Sequence, residues 1–184
     1  MKHEQIRAAV GRSVVMLGCL LSVIGCGSGG GDDGSELTKV EREGEPDIVM
    51  VEDDDEAMTA AIAKARTTAD EFIAALESPT AQQDSFAVKA EFEDGDHVEH
   101  MWLNPVRFAD GKFEGRVGNE PNMVSTVKLG DVVTVAKVEI SDWMYVDDGK
   151  LVGGFTLRVL RASMSDAEKA DFDKHVPFTI EEDE

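Results

Sequence analysis

The segment "SDWMYVDDGKLVGGFTLR", Ser141 to Arg158, reads as two extended runs joined by an Asp-Gly turn. How that turn closes sets which side chains share a face. A two-residue loop, Asp148-Gly149, places Trp143 and Tyr145 with Val152, Gly154, Thr156 and Arg158, and puts Asp142 beside Met144, Gly153, Phe155 and Leu157. A three-residue loop, Asp147-Asp148-Gly149 with the glycine left-handed, groups Trp143 and Tyr145 with Leu151, Gly153, Phe155, Leu157 and Val159, and leaves Asp142 with Gly154, Thr156 and Arg158. Burying a lone carboxylate costs several kcal/mol and turn preferences are smaller, so the second register is expected. Trp143 and Tyr145 then belong to the core. Gly153-Gly154 lies in a strand that relieves packing against the Trp143 ring, and Asp142 and Arg158 sit on neighbouring strands as a surface ion pair.

Upstream, the hydrophobic period is two. "SFAVKAEFE", Ser85 to Glu93, alternates Phe86, Val88, Ala90 and Phe92 against Ala87, Lys89, Glu91 and Glu93, as a half-buried strand does. "DGD" turns the chain into "HVEHMWLNPVRF". "ADGK" then makes a hairpin in which Phe108 faces Phe113 and Arg107 faces Glu114. "NEPNMV" interrupts, and "STVKLGDVVTVAKVEI" supplies a further strand. Before the strands, from Asp55 to Pro79, Met58, Ile62, Ala65, Ala69, Phe72, Ile73 and Leu76 recur at steps of three and four, the stripe of one long amphipathic helix. After Leu160, Ser165 and Glu168 stand at capping-box spacing and open a short helix to His175; "PFTIEEDE" reads as a frayed acidic tail. The fold class is α+β: an amphipathic helix packed on a strongly bent or barrel-like, mostly antiparallel sheet of about six strands, and a small C-terminal helix.

The amino terminus has a different character. Lys2, Arg7 and Arg12 precede the apolar run "SVVMLGCLLSVIG", which is too short for a stable span and reads as the core of a signal peptide. "VIGC", Val23 to Cys26, followed by "GSGGG", resembles the lipobox of bacterial lipoproteins, in which a cysteine in a pliable segment is acylated and becomes the first mature residue. More than one acyl chain on Cys26 makes anchoring stable. With Cys19 removed and Cys26 acylated, no internal disulfide is left, and no thiol for a cysteine nucleophile. The expected organisation is a signal peptide over residues 1–25, a Gly-rich acidic tether over 26–54, a domain over 55–162, and a short helix and tail over 163–184. A tether of roughly 28 flexible residues reaches about 30 Å, and within it "IVMV" suggests a short strand. Gly27 after the Cys implies, in lipoproteins of enterobacterial type, the outer membrane facing the periplasm; with a single membrane, the outer face of the cytoplasmic membrane.

A formal net charge of -20 over 184 residues disfavours nucleic acid, whose phosphates would share the protein's sign. The acidic segment lacks the alternating oxygens, Gly and distal Glu of an EF-hand. There is no G-x-S-x-G elbow and no phosphate-cradling loop opening a helix, and nothing implies a cofactor. His97, Glu99 and His100 in "HVEH" fall three apart at most, which a strand divides between two faces, so a zinc site is not expected. The remaining constellation is Asn119, Pro121, Asp142, Thr156 and Arg158, a candidate polar patch for a peptide or ligand.

"AIAKARTTADEFIAAL", "VEHMWL", "GRVGNEP", "KLGDVVTV" and "EISDWMYVDDGKLVGGFTLR", in that order, resemble the YegJ-like bacterial family, domain of unknown function 2314, over about Asp55 to Leu160. Some members are similarly lipoproteins. The resemblance implies domain limits and no activity; Phe155, where Tyr is frequent, removes a hydroxyl and argues against catalysis there. The reading that results is a lipid-anchored, non-enzymatic binding or accessory module of the cell envelope, with an envelope protein or peptide as partner. The alternatives are a hydrolase or metal-dependent enzyme using His97, His100 or Asp142, and an immunity-like or inhibitor protein whose acidic surface masks a basic partner.

Overall fold

The computed structural model describes residues 38–40, 48–50 and 56–181. The expected signal peptide and Cys26 lie outside them. Within the expected tether, β1 (Thr38–Val40) and β2 (Ile48–Met50) pair as an antiparallel ribbon, so "IVM" is a strand and that segment is not wholly without structure. The domain is α+β. Helices α1 (Glu56–Thr67) and α2 (Ala69–Glu77) precede β3 (Gln83–Asp94), β4 (His97–Ala109), β5 (Lys112–Val117), β6 (Val132–Ala136), β7 (Ile140–Asp147) and β8 (Lys150–Gly153); α3 (Phe155–Ala162) and α4 (Asp166–His175) follow. The six strands form one antiparallel sheet in the order β6-β5-β4-β3-β7-β8. It is open, with β6 and β8 as edges, and not a barrel.

The helical stripe packs where its spacing places it. Of that stripe Ala65, Ala69, Phe72 and Ile73 are buried and join Val88, Ala90, Met101, Leu103, Phe113, Val117, Ile140 and Trp143 in one core, while Met58, Ile62 and Leu76 are half-buried and Ala61, outside the stripe, is buried. Phe72 is its hub, with ring centroids 5.5 Å from Trp143, 5.8 Å from Phe113 and 5.9 Å from Phe86. The expected single helix is two. Thr67 and Thr68 both donate their hydroxyls to the Lys64 carbonyl, at 3.0 and 2.7 Å, competing with the backbone ladder where α1 ends. The interruption has a use: the Trp143 indole N–H donates to the Ala65 carbonyl at 3.0 Å and approaches Thr68 Oγ1 at 3.2 Å. The Asp110-Gly111 hairpin has the expected register, Phe108 opposite Phe113 and Arg107 opposite Glu114, with an Arg107–Glu114 ion pair at 2.7 Å.

The β7–β8 hairpin departs from expectation. Tyr145 faces Val152 and Asp147 faces Lys150, which is the two-residue loop. Asp148 (φ 48°) and Gly149 (φ 78°) are both left-handed, the backbone of a type I′ turn whose twist matches the strands. Trp143 and Tyr145 do lie against the core. The expected strand through Arg158 is also replaced: it stops at Gly153, and residues 155–162 are helical. Gly153 (φ 73°) and Gly154 (φ 64°) turn the chain beneath Trp143, whose carbonyl accepts from the Gly154 N–H at 2.8 Å. At the C terminus α4 opens with the expected Ser165–Glu168 capping box. The tail is not frayed through Glu181: Thr179 exchanges backbone hydrogen bonds with Gly149 and Leu151, and Glu181 pairs with Lys150 at 2.7 Å.

A methyl group at residue 153 would lie 2.5 Å from two Trp143 ring carbons, whereas one at residue 149 meets nothing within 4 Å. In chemical denaturation Gly153→Ala is therefore expected to cost about 3 kcal/mol and Gly149→Ala about 1 kcal/mol, the second from left-handed backbone alone.

Candidate functional site

The sheet face turned away from α1 and α2 carries a row of unusual residues. Trp102 on β4, Lys89 on β3 and Asp142 on β7 are register neighbours, and Thr156 in the first turn of α3 completes the row. Asp142 has no solvent exposure. One carboxylate oxygen accepts from the Trp143 N–H at 2.8 Å and the Phe155 N–H at 3.1 Å; the other accepts from the Thr156 N–H at 2.9 Å and its hydroxyl at 2.6 Å. Helix α3 has Gly154 at its N-cap and no acidic residue in its first turn, so a strand residue supplies the anion that its free N–H groups require. The Lys89 ammonium stands 3.4 Å from the Thr156 hydroxyl and 5.7 Å from the centroid of the Trp102 ring. Burial pushes the Lys89 pKa down, opposed by the Asp142 charge. Burial pushes Asp142 up, opposed by the Thr156 hydroxyl, the Lys89 charge and the backbone N–H groups.

A bulge between Lys89 and Ala90 brings Ser141 alongside the next row. There His100 Nδ1 lies 2.9 Å from Ser141 Oγ, and His100 Nε2 lies 3.7 Å from Glu91. Ser141 is 1% exposed, so the contact lies beneath the surface.

The expected polar patch divides. Asp142 and Thr156 do meet, but inside the protein, which corrects the surface ion pair: a carboxylate with four donors can be buried, and the expected register treated it as unpartnered. Arg158 lies on α3 and donates to the carbonyls of Gly153 at 3.0 Å and Leu151 at 2.9 Å, clasping the end of β8. Asn119 accepts from the Trp102 N–H at 3.3 Å, so it braces the row from behind. Pro121 is half-buried in the loop between β5 and β6, which Glu99 holds through the N–H groups of Asn122 and Met123 and Asp94 holds through Ser125. His97 is exposed opposite Asp94 at the hairpin end, away from His100. Among the described residues no group of three or more His, Cys, Asp or Glu is placed to hold a metal ion, and no helix is long and apolar enough to cross a membrane.

Lys89, Trp102 and Ser141 were not singled out from the sequence. A signal existed for two of them: a two-residue Gly95-Asp96 turn pairs Lys89 with Trp102 by counting back along both strands. Ser141 depends on the bulge, which the residues do not announce.

A family model described as "Uncharacterized protein conserved in bacteria (DUF2314)" matches residues 55–179. The chain belongs to this family. The DUF2314 region spans α1 to the docked tail and contains the whole Trp102–Lys89–Asp142–Thr156 row. The chain is 40% identical over 104 residues to "Uncharacterized protein YegJ" of Escherichia coli (strain K12), covering 56% of this chain and 67% of that one. It is 38% identical over 81 residues to "Putative ankyrin repeat protein NMB1133/NMB1171" of Neisseria meningitidis serogroup B (strain ATCC BAA-335 / MC58), covering 44% of this chain and 32% of that one. No solved structure matches.

Asp142→Ala leaves buried donors unmet and is expected to lower unfolding stability by about 3 kcal/mol. The Lys89 charge stabilises only an ionised Asp142, so removing it raises the Asp142 pKa further. Stability associated with a raised acid is complete below its unfolded pKa and is lost as pH rises through the folded one. Lys89→Met should therefore lose stability relative to wild type as pH rises from acid through the Asp142 titration to neutral; thermal melts across that range showing a constant difference would contradict the coupling.

Proposed function

We propose that this protein is a lipid-anchored, non-enzymatic binding module of the bacterial cell envelope, acylated at Cys26 and presenting the Trp102, Lys89 and His100 side of its sheet to a protein or peptide partner. The observation that carries the non-enzymatic reading is the state of Asp142. Both oxygens are committed to the Trp143 N–H and to the Phe155 and Thr156 donors of helix α3, which leaves no lone pair well placed to take a proton from a substrate. Around it, the Trp102 indole is half-buried with the Lys89 ammonium 5.7 Å from its ring centroid, a combination suited to packing against a partner. The anchor rests on the basic leader, the apolar run, "VIGC" and the glycines behind it. The sheet end of the domain would stand off a membrane whose head groups share its negative sign, held by lipid and tether alone.

A hydrolase is favoured by one observation, the Ser141–His100–Glu91 sequence of contacts at 2.9 and 3.7 Å. The 1% exposure of Ser141 argues against it, since a nucleophile needs a path to substrate. A fluorophosphonate probe separates the two readings: no labelling of Ser141 is expected, and labelling abolished by Ser141→Ala would establish the enzyme.

The anchor is tested by metabolic labelling with palmitate. Wild type is expected to carry label and sediment with membranes, while Cys26→Ser takes up none and loses membrane association; equal sedimentation without label would overturn the anchor. Photo-crosslinkers at Lys89 and Trp102 should capture an envelope protein that crosslinkers at exposed Glu77 do not.

A further inference from the structure

The two edges of the sheet are finished differently. Beside β8, Thr179 bridges to Lys150 and the Glu181 carboxylate pairs with its ammonium, so a segment of the same chain covers that edge. Beside β6 no strand is paired among the described residues. Strand β6, "VVTVA", has no charge and no proline, and the exposed apolar side chains Leu129 (54%), Val132 (56%) and Val138 (70%) lie in or next to it. Natural edges are normally blunted by charge, proline or cover, and this one has none within the strand.

The outward groups can be assigned. The Asp131 carbonyl accepts from Val117 on β5, and the Lys137 N–H donates to Gly111. By the alternation of an antiparallel ladder, Val133 and Val135 also address β5, and the N–H and C=O groups of Val132, Thr134 and Ala136 point away from the sheet. The Ala136 N–H is taken by its own neighbour, the Glu139 carboxylate, at 2.7 Å.

We infer that β6 pairs antiparallel with β6 of a second copy of this chain, about a two-fold axis through Thr134, joining two six-stranded sheets. A two-fold contact requires a surface that complements itself, and this strand does so in composition and charge. Thr134 meets Thr134 of the second copy, Val133 meets Val135 and Val132 meets Ala136. Just beyond the strand ends Asp131 comes opposite Lys137, so opposite charges face each other at both ends. Lys137 already holds Asp70 at 2.6 Å, and a second carboxylate adds to that contact without displacing it. Four hydrogen bonds form with groups that are otherwise turned outward: Thr134 N–H to Thr134 C=O twice, and Val132 N–H to Ala136 C=O twice. The Glu139 cap on Ala136 limits the ladder to these. An extended peptide from another protein would use the same groups, but it would not need the near-palindromic strand or the opposite charges at its ends.

The full chain, co-expressed in a bacterial host with two different affinity tags and purified through one, tests this. Thr134 is exposed, so a charge there spares the core. Wild-type copies are expected to purify together; Thr134→Lys with Thr134→Lys is expected to fall by about tenfold, because like charges then face each other across the axis. Thr134→Lys with Thr134→Asp is expected to return to the wild-type level. Failure of wild-type copies to co-purify, full recovery of the lysine pair, or no rescue by the opposite charge would each overturn the inference. Loss of some other protein by Thr134→Lys, with no self-association of wild type, would overturn it in favour of a foreign strand.

Discussion

A carboxylate with no access to water must find donors or lose its charge, and Asp142 finds four, three of them at the start of a helix and one on its own strand. That requirement organises the second half of the domain. For Phe155 and Thr156 to reach Asp142, the chain leaving β8 has to turn sharply within two residues, beneath the Trp143 ring, and Gly153 and Gly154 in left-handed conformations make the turn. Phe155 then meets Trp143 edge-on at 5.3 Å and lies under the Lys64 ammonium at 4.9 Å, which ties α3 to α1. One buried anion thus links a strand, a helix start and a helix from the other side of the sheet.

The same interaction explains which expectations from sequence survive. The period-two run of β3, the Asp110-Gly111 hairpin, the α1–α2 stripe and the Ser165 cap are local patterns, and each is where its residues place it. The three-residue register of β7–β8 follows only if burying Asp142 carries the cost of a carboxylate without donors. That cost is reduced once α3 supplies three donors, and the type I′ preference of Asp148-Gly149 then prevails. Three of the four donors come from residues thirteen and fourteen positions later, where the pattern reads as strand, so both departures have one cause. Two adjacent left-handed glycines carry the missing information, because paired glycines in a strand pattern also mark its end. The candidate site was legible only in part: Asp142 and Thr156 belong together and Asn119 holds the Trp102 backbone, whereas Arg158 serves the β8 end and Pro121 the loop beyond β5.

For function, the consequence is a separation of roles. The acidic group that invites a catalytic reading is buried among its own donors, and the half-buried side chains around it are the Trp102 indole in its row and the His100 imidazole in the next. Membership of an uncharacterised bacterial family agrees with the fold limits and supplies no chemistry. The functional proposal therefore stands on surface character and on the amino-terminal sequence pattern, and the domain's interior accounts for its stability and shape.

Amide hydrogen exchange read residue by residue tests the role of Asp142 most directly. If its carboxylate holds the start of α3, the Phe155 and Thr156 amides are protected in the wild-type protein and exchange freely in Asp142→Ala, while β3 and β4 amides stay protected in both. Equal protection of Phe155 and Thr156 with and without the carboxylate would contradict the account.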